Sequence, residues 1–79
     1  MRIVKEIVQA PLKISIFSWN QKYLIKYENG PLEQTYKVDE LDVISEADLD
    51  IFLTDEFILR VKEVFNDMNA AFGPRIAEL

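Results

Sequence analysis

One stretch, Leu12 to Tyr27 (LKISIFSWNQKYLIKY), constrains the fold most, because it divides into two β-strands turned back at Asn20-Gln21. A two-residue loop there, with Asn accepting a positive φ, sets the cross-strand pairs. Trp19 faces Lys22, Ser18 faces Tyr23, Phe17 faces Leu24, Ile16 faces Ile25, Ser15 faces Lys26, Ile14 faces Tyr27 and Lys13 faces Glu28. Side chains alternate across a strand, so the pairs sort onto two faces. One carries Ile14, Ile16, Tyr23, Ile25 and Tyr27; the other carries Lys13, Ser15, Phe17, Trp19, Lys22, Leu24, Lys26 and Glu28. A slip of one residue would mix the two sets, which burial of one face disfavours. The first face is the predicted core. The second is polar apart from an apolar island of Phe17, Trp19 and Leu24.

Flanking segments extend this hairpin on both sides. Residues 2–8 are rich in β-branched residues and read as a strand, with Ile3 and Ile7 on one face and Val4 and Val8 on the other. Ala10-Pro11 connects it to residues 12–19, and residues 22–28 complete the hairpin. Asn29-Gly30 is a strong turn signal, but Pro31 has no N–H, so the expected connection is a four-residue loop from Asn29 to Leu32. It places Tyr27 opposite Gln34, Ile25 opposite Tyr36 and Tyr23 opposite Val38, in a strand over 33–38. The run from Asp39 to Ile44 reads as a loop with a short extended piece.

Beyond it the period changes. Ser45 followed by Asp48 resembles a capping box, and Leu49, Phe52 and Leu53 share one side of a short helix over 46–53. Thr54 is the next N-cap candidate, with Asp55 and Glu56 in the first turn. At about 100° per residue, Phe57, Ile58, Val61, Val64, Phe65, Met68, Ala71 and Phe72 fill one half of a helical wheel over 55–72. Gly73 and Pro74 predict its end, leaving 75–79 as a tail. Leu59 stands alone on the polar side; exposed together with the island, it would make a two-sided assembly possible.

A stripe with three Phe needs a partner surface, and the Ile/Tyr sheet face is the only one large enough. The predicted class is therefore α+β: one domain over residues 1–79, an antiparallel three- to four-stranded β-meander with one face covered by the short helix and the long C-terminal amphipathic helix.

The chain has neither Cys nor His. That removes disulfides, thiolate metal sites, the usual general base and the commonest transition-metal ligand. With two glycines there is no Gly-rich phosphate loop. Asp39, Glu40, Asp42, Glu46, Asp48 and Asp50 are numerous, but they lack an EF-hand pattern, and several have helix-start duties. The expectation is a protein that is not an enzyme and holds no metal or cofactor. No apolar run approaches the roughly 20 residues of a membrane span. Charges near Met1 break any export signal, so a cytoplasmic location with no membrane partner is expected.

Charge is divided unevenly. Residues 1–38 hold six Lys/Arg against three Asp/Glu, and residues 39–79 hold three against eleven. Basic strands beside acidic helices account for this in a folded chain. It also raises the question of an oppositely charged partner.

The island of Phe17, Trp19 and Leu24, bordered by Lys13, Lys22, Lys26 and Lys37, is the most informative feature for function. Val4 and Val8, the Ala10-Pro11 connection or the C-terminal tail could cover it as a minor core. Left open, it suits a protein-interaction or self-association surface, since exposed apolar patches with aromatic anchors mark such sites. The alternative is weak single-stranded nucleic-acid binding, with bases stacked on Trp19 and Phe17 and lysines on the phosphates.

Overall fold

The computed structural model describes residues 1–79. Four strands, β1 (Arg2–Gln9), β2 (Leu12–Trp19), β3 (Lys22–Asn29) and β4 (Leu32–Asp39), form one antiparallel sheet in sequence order. A 3-10 turn at Glu40–Asp42 and a 3-10 helix at Glu46–Phe52 lead to one long helix, α1 (Asp55–Ile76). The chain is thus an α+β meander with all its helical mass on one sheet face.

Every predicted pair of the β2–β3 hairpin forms, from Lys13 with Glu28 to Trp19 with Lys22. Asn20 and Gln21 have φ of 52° and 63°. Two positive φ values in a row define the type I′ turn, whose twist matches that of the strands.

The β3–β4 register is also as predicted, with Tyr27 opposite Gln34, Ile25 opposite Tyr36 and Tyr23 opposite Val38. The loop is shorter than expected, however, because Asn29 pairs with Leu32 and only Gly30 and Pro31 remain in the turn. A two-residue hairpin closes through the backbone groups of the flanking residues. The missing N–H of Pro31 therefore costs nothing. Gly30 supplies the positive φ of 60°, and the fixed negative φ of proline suits the second turn position.

Strand β1 departs from simple alternation. Ile7 faces Ile14 on the core side, but the pairing shifts between Ile3 and Lys5, and Ile3 faces Phe17 on the outer side. Val4 is the extra residue of this β-bulge and packs against the core. Ile3 and Ile7, expected on one face, therefore lie on opposite faces, as do Val4 and Val8. Bulges of this kind twist an edge strand away from intermolecular pairing.

The helical segments bring three further corrections. The short helix over 46–53 is a 3-10 helix ending at Phe52, and the Asp48 carboxylate accepts from the N–H groups of Ser45 (3.1 Å) and Ile44 (3.2 Å). The segment at Glu40–Asp42, expected as loop, is a turn in which Asp39 accepts from the Leu41 N–H at 3.1 Å. Helix α1 starts where predicted, with Thr54 Oγ1 accepting from the Phe57 N–H at 3.2 Å, but it runs through Gly73-Pro74 to Ile76. Proline's φ is itself helical; its ring displaces the bond to the Ala70 carbonyl and also crowds the Cβ of the preceding residue. Gly73 has no Cβ, so the second conflict is absent, and this close to the helix end the last turn survives the lost hydrogen bond.

The core comprises Leu12, Ile14, Ile16, Tyr23, Ile25, Tyr27, Leu49, Ile58, Val61 and Phe65. Two polar contacts tie the layers together. The Tyr27 hydroxyl donates to the Phe52 carbonyl at 2.6 Å, and Gln34 Nε2 donates to the Val61 carbonyl at 3.0 Å. Two ion pairs clamp the 3-10 helix to the β1 edge, Arg2 with Glu46 and Lys5 with Asp50. The bond from Arg2 holds the Glu46 carboxyl below its ordinary range.

Candidate functional site: the outer sheet face

Because α1 and the 3-10 helix both lie on the Ile/Tyr face, the opposite face has no element over it. The strand register divides this face into rows that run across the strands. Ile3, Phe17, Leu24 and Lys37 form one row. Beside it, at the Asn20-Gln21 end, Trp19, Lys22 and Asp39 form another. Toward the opposite end come Glu6, Ser15, Lys26 and Thr35, and then Val8, Lys13, Glu28 and Glu33. Ile3, Phe17, Trp19 and Leu24 thus gather at one end, bordered by Lys22, Lys37 and Asp39, and the other five charges of the face lie at the other end.

Phe17 and Leu24 are half-buried by their strand neighbours, whereas Trp19 is 53% and Ile3 58% exposed. None of the segments that could have covered the island does so. Val4 points to the core. Val8 is exposed and sits in the most distant row, beside the Ala10-Pro11 turn. The C-terminal Leu79 is 98% exposed.

The structure brings all seven predicted residues, Lys13, Phe17, Trp19, Lys22, Leu24, Lys26 and Lys37, onto this one face, and it adds Ile3. Alternation alone could not have assigned Ile3, because the bulge at Val4 reverses the parity of everything before it.

Charge on the face is balanced. Lys13, Lys22, Lys26 and Lys37 are matched by Glu6, Glu28, Glu33 and Asp39, so the net charge of -5 resides entirely elsewhere on the molecule. Lys13 bonds to Glu6 at 3.1 Å, which holds its ammonium group above the ordinary range. Lys26 lies between Glu28 (3.7 Å) and Glu33 (3.5 Å). Lys22 and Lys37, the two beside the island, have no ion-pair partner.

The acidic run from Asp39 to Asp50 is dispersed over local tasks: Asp39 and Asp48 cap backbone N–H groups, and Glu46 and Asp50 pair with β1. No helix is long and apolar enough to cross a membrane. Comparison of the chain with protein-family models, with curated proteins and with solved structures gives no match.

Proposed function

We propose that the protein is a non-catalytic interaction module that docks another protein surface on its outer sheet face. The observation that carries this reading is the contiguous row Ile3–Phe17–Leu24 with Trp19 beside it, uncovered by any other element. Single exposed apolar residues are common, but an apolar cluster anchored by aromatics and rimmed by charge is the composition of a protein interface.

The other reading, single-stranded nucleic acid stacked on Trp19 and Phe17, is disfavoured by the charge pattern. Nucleic-acid grooves are strongly positive, whereas this face carries as many acids as lysines, and Lys13 and Lys26 are already paired. The two readings differ in salt response, because phosphate-based complexes weaken steeply with added salt and apolar ones hardly change.

A photo-crosslinking side chain placed at position 19, with position 62 on the polar side of α1 as control, tests the proposal in cells. A protein adduct formed from 19 and not from 62 is the expected result. A nuclease-sensitive adduct from 19, or none, would overturn it.

A further inference from the structure

We infer that the occupant of the outer face is a second copy of this chain, packed face to face about a twofold axis that runs along the β2–β3 hairpin. This rests on the docking role proposed above and gives it a partner and a geometry.

The argument is one of symmetry. A twofold axis parallel to the strands and midway between β2 and β3 lays β2 of one copy over β3 of the other, row on row. Each cross-strand pair within the hairpin then becomes a pair between copies. Phe17 meets Leu24 of the second copy and Leu24 meets its Phe17, closing the apolar row on itself. Lys13 meets Glu28, and Trp19 meets Lys22, an ammonium group over an indole face. At the margins β1 lies over β4, so Ile3 meets Lys37, Glu6 meets Thr35 and Val8 meets Glu33. No row sets like charge against like charge. A twofold axis perpendicular to the strands instead lays the apolar end of one copy on the charged end of the other.

Long-range charge agrees with this choice. The neutral outer face is the one broad surface through which two copies with a net charge of -5 can approach without opposing their acidic sides. Lys22, free of ion pairs within the chain, lies over the Trp19 ring of the other copy, and at the margin Lys37 lays its aliphatic stem on Ile3 of the other copy while its ammonium group stays in water.

Area sets the strength. Strands of eight residues extend about 26 Å, and four of them span about 19 Å, a projected face of about 500 Å². Stable complexes bury about 800 Å² per partner, and weak ones less than about 600 Å². The inferred dimer is therefore reversible, and the aligned packing of twisted sheets keeps closest contact over the central hairpin.

Sedimentation equilibrium from about 1 μM to about 1 mM protein tests the inference. The expected result is a concentration-dependent approach to twice the chain mass of 9.2 kDa. Trp19→Ala is expected to weaken the dimer about 10-fold or more, as loss of an aromatic anchor does. Lys13→Glu and Glu28→Lys should each weaken it about 3- to 10-fold, and the double variant should restore it. Lys62→Glu, the same charge change on α1, should leave it unchanged.

A monomer throughout the range would overturn the inference, as would a dimer insensitive to Trp19 or one weakened equally by Lys62→Glu. The charge variants keep the test decisive if Trp19→Ala fails to fold. A monomer whose position 19 still crosslinks to a different protein would overturn the dimer and leave the docking role standing. A monomer with no adduct would end both.

Discussion

Gln34 on β4 reaches across the core to Val61 on α1, its Nε2 donating to the Val61 carbonyl at 3.0 Å while its Oε1 accepts from the Tyr36 hydroxyl at 2.8 Å. It is one of two buried polar residues, and both ends of its amide are satisfied. Gln34→Glu keeps the shape and removes the donor. The carboxylate then faces the Val61 carbonyl without a proton between them, and burial raises its pKa above that of a solvated Glu. A group whose folded pKa is raised contributes most stability where it is protonated and loses it as pH rises. The variant should therefore be destabilised by about 2–4 kcal/mol at neutral pH and recover toward wild type as pH falls from neutral to about 4, the pKa of Glu in the unfolded chain. Urea unfolding across this range checks the sign. An equal loss at every pH would mean that ionisation of the new carboxyl is not what destabilises the variant.

The two turns predict effects of opposite sign. Gln21 holds a φ of 63° as a non-glycine residue, and Gly30 holds 60° with nothing within 4 Å of the position a Cβ would take. The left-handed conformation costs a non-glycine L-residue about 1 kcal/mol. Gln21→Gly should therefore raise the thermal midpoint, and Gly30→Ala should lower it by at least as much, because the first position of the Gly30-Pro31 turn, with positive φ followed by negative φ, is one that glycine dominates. Because space is open at Gly30, any loss there is a backbone effect and not a clash.

Phe65 and Phe72 occupy the same helical stripe but differ in depth, Phe65 being 3% and Phe72 37% exposed. Phe65→Ala should cost about 3–5 kcal/mol. Phe72→Ala should cost about 1–2 kcal/mol, since more than a third of that residue already meets water. Chemical denaturation of both variants measures the difference, and equal losses would mean that the C-terminal part of α1 is covered in solution.

That pair also shows where the sequence is legible and where it is not. Period-2 alternation with a turn signal determines the β2–β3 pairing and the residues of the outer face, because burial of one face penalises every other register. Helical periodicity identifies the side of α1 that turns inward. It does not say how far the sheet beneath it extends, so Phe65 and Phe72 look alike on the wheel. The bulge at Val4 is equally silent, since Ile3, Lys5 and Ile7 alternate as regular strand residues do. Only the packing of Val4 against the core and the reach of Lys5 to Asp50 place it. The turn at Gly30-Pro31 was readable in principle, from asking which N–H groups a two-residue hairpin uses.

Tyr27 leads to a prediction at high pH. Its side chain is fully buried, its hydroxyl donates to the Phe52 carbonyl, and its ring packs near Tyr36 and Phe57. Burial, with a smaller contribution from Tyr36, pushes the hydroxyl well above the ordinary tyrosine range. In the unfolded chain the same group ionises near pH 10. Above that pH the unfolded state binds fewer protons than the folded one, so stability falls as pH rises. The fold should consequently open in alkaline solution, and Tyr27 should become tyrosinate together with loss of structure. Tyrosinate absorbance followed alongside circular dichroism checks that the two changes coincide. Tyr27→Phe strands the Phe52 carbonyl and should cost about 1–3 kcal/mol at neutral pH. It should also flatten the alkaline decline, so that wild type and variant converge as pH rises. Parallel decline of the two proteins would move the alkaline sensitivity from Tyr27 to Tyr23, whose hydroxyl burial also holds above the ordinary range.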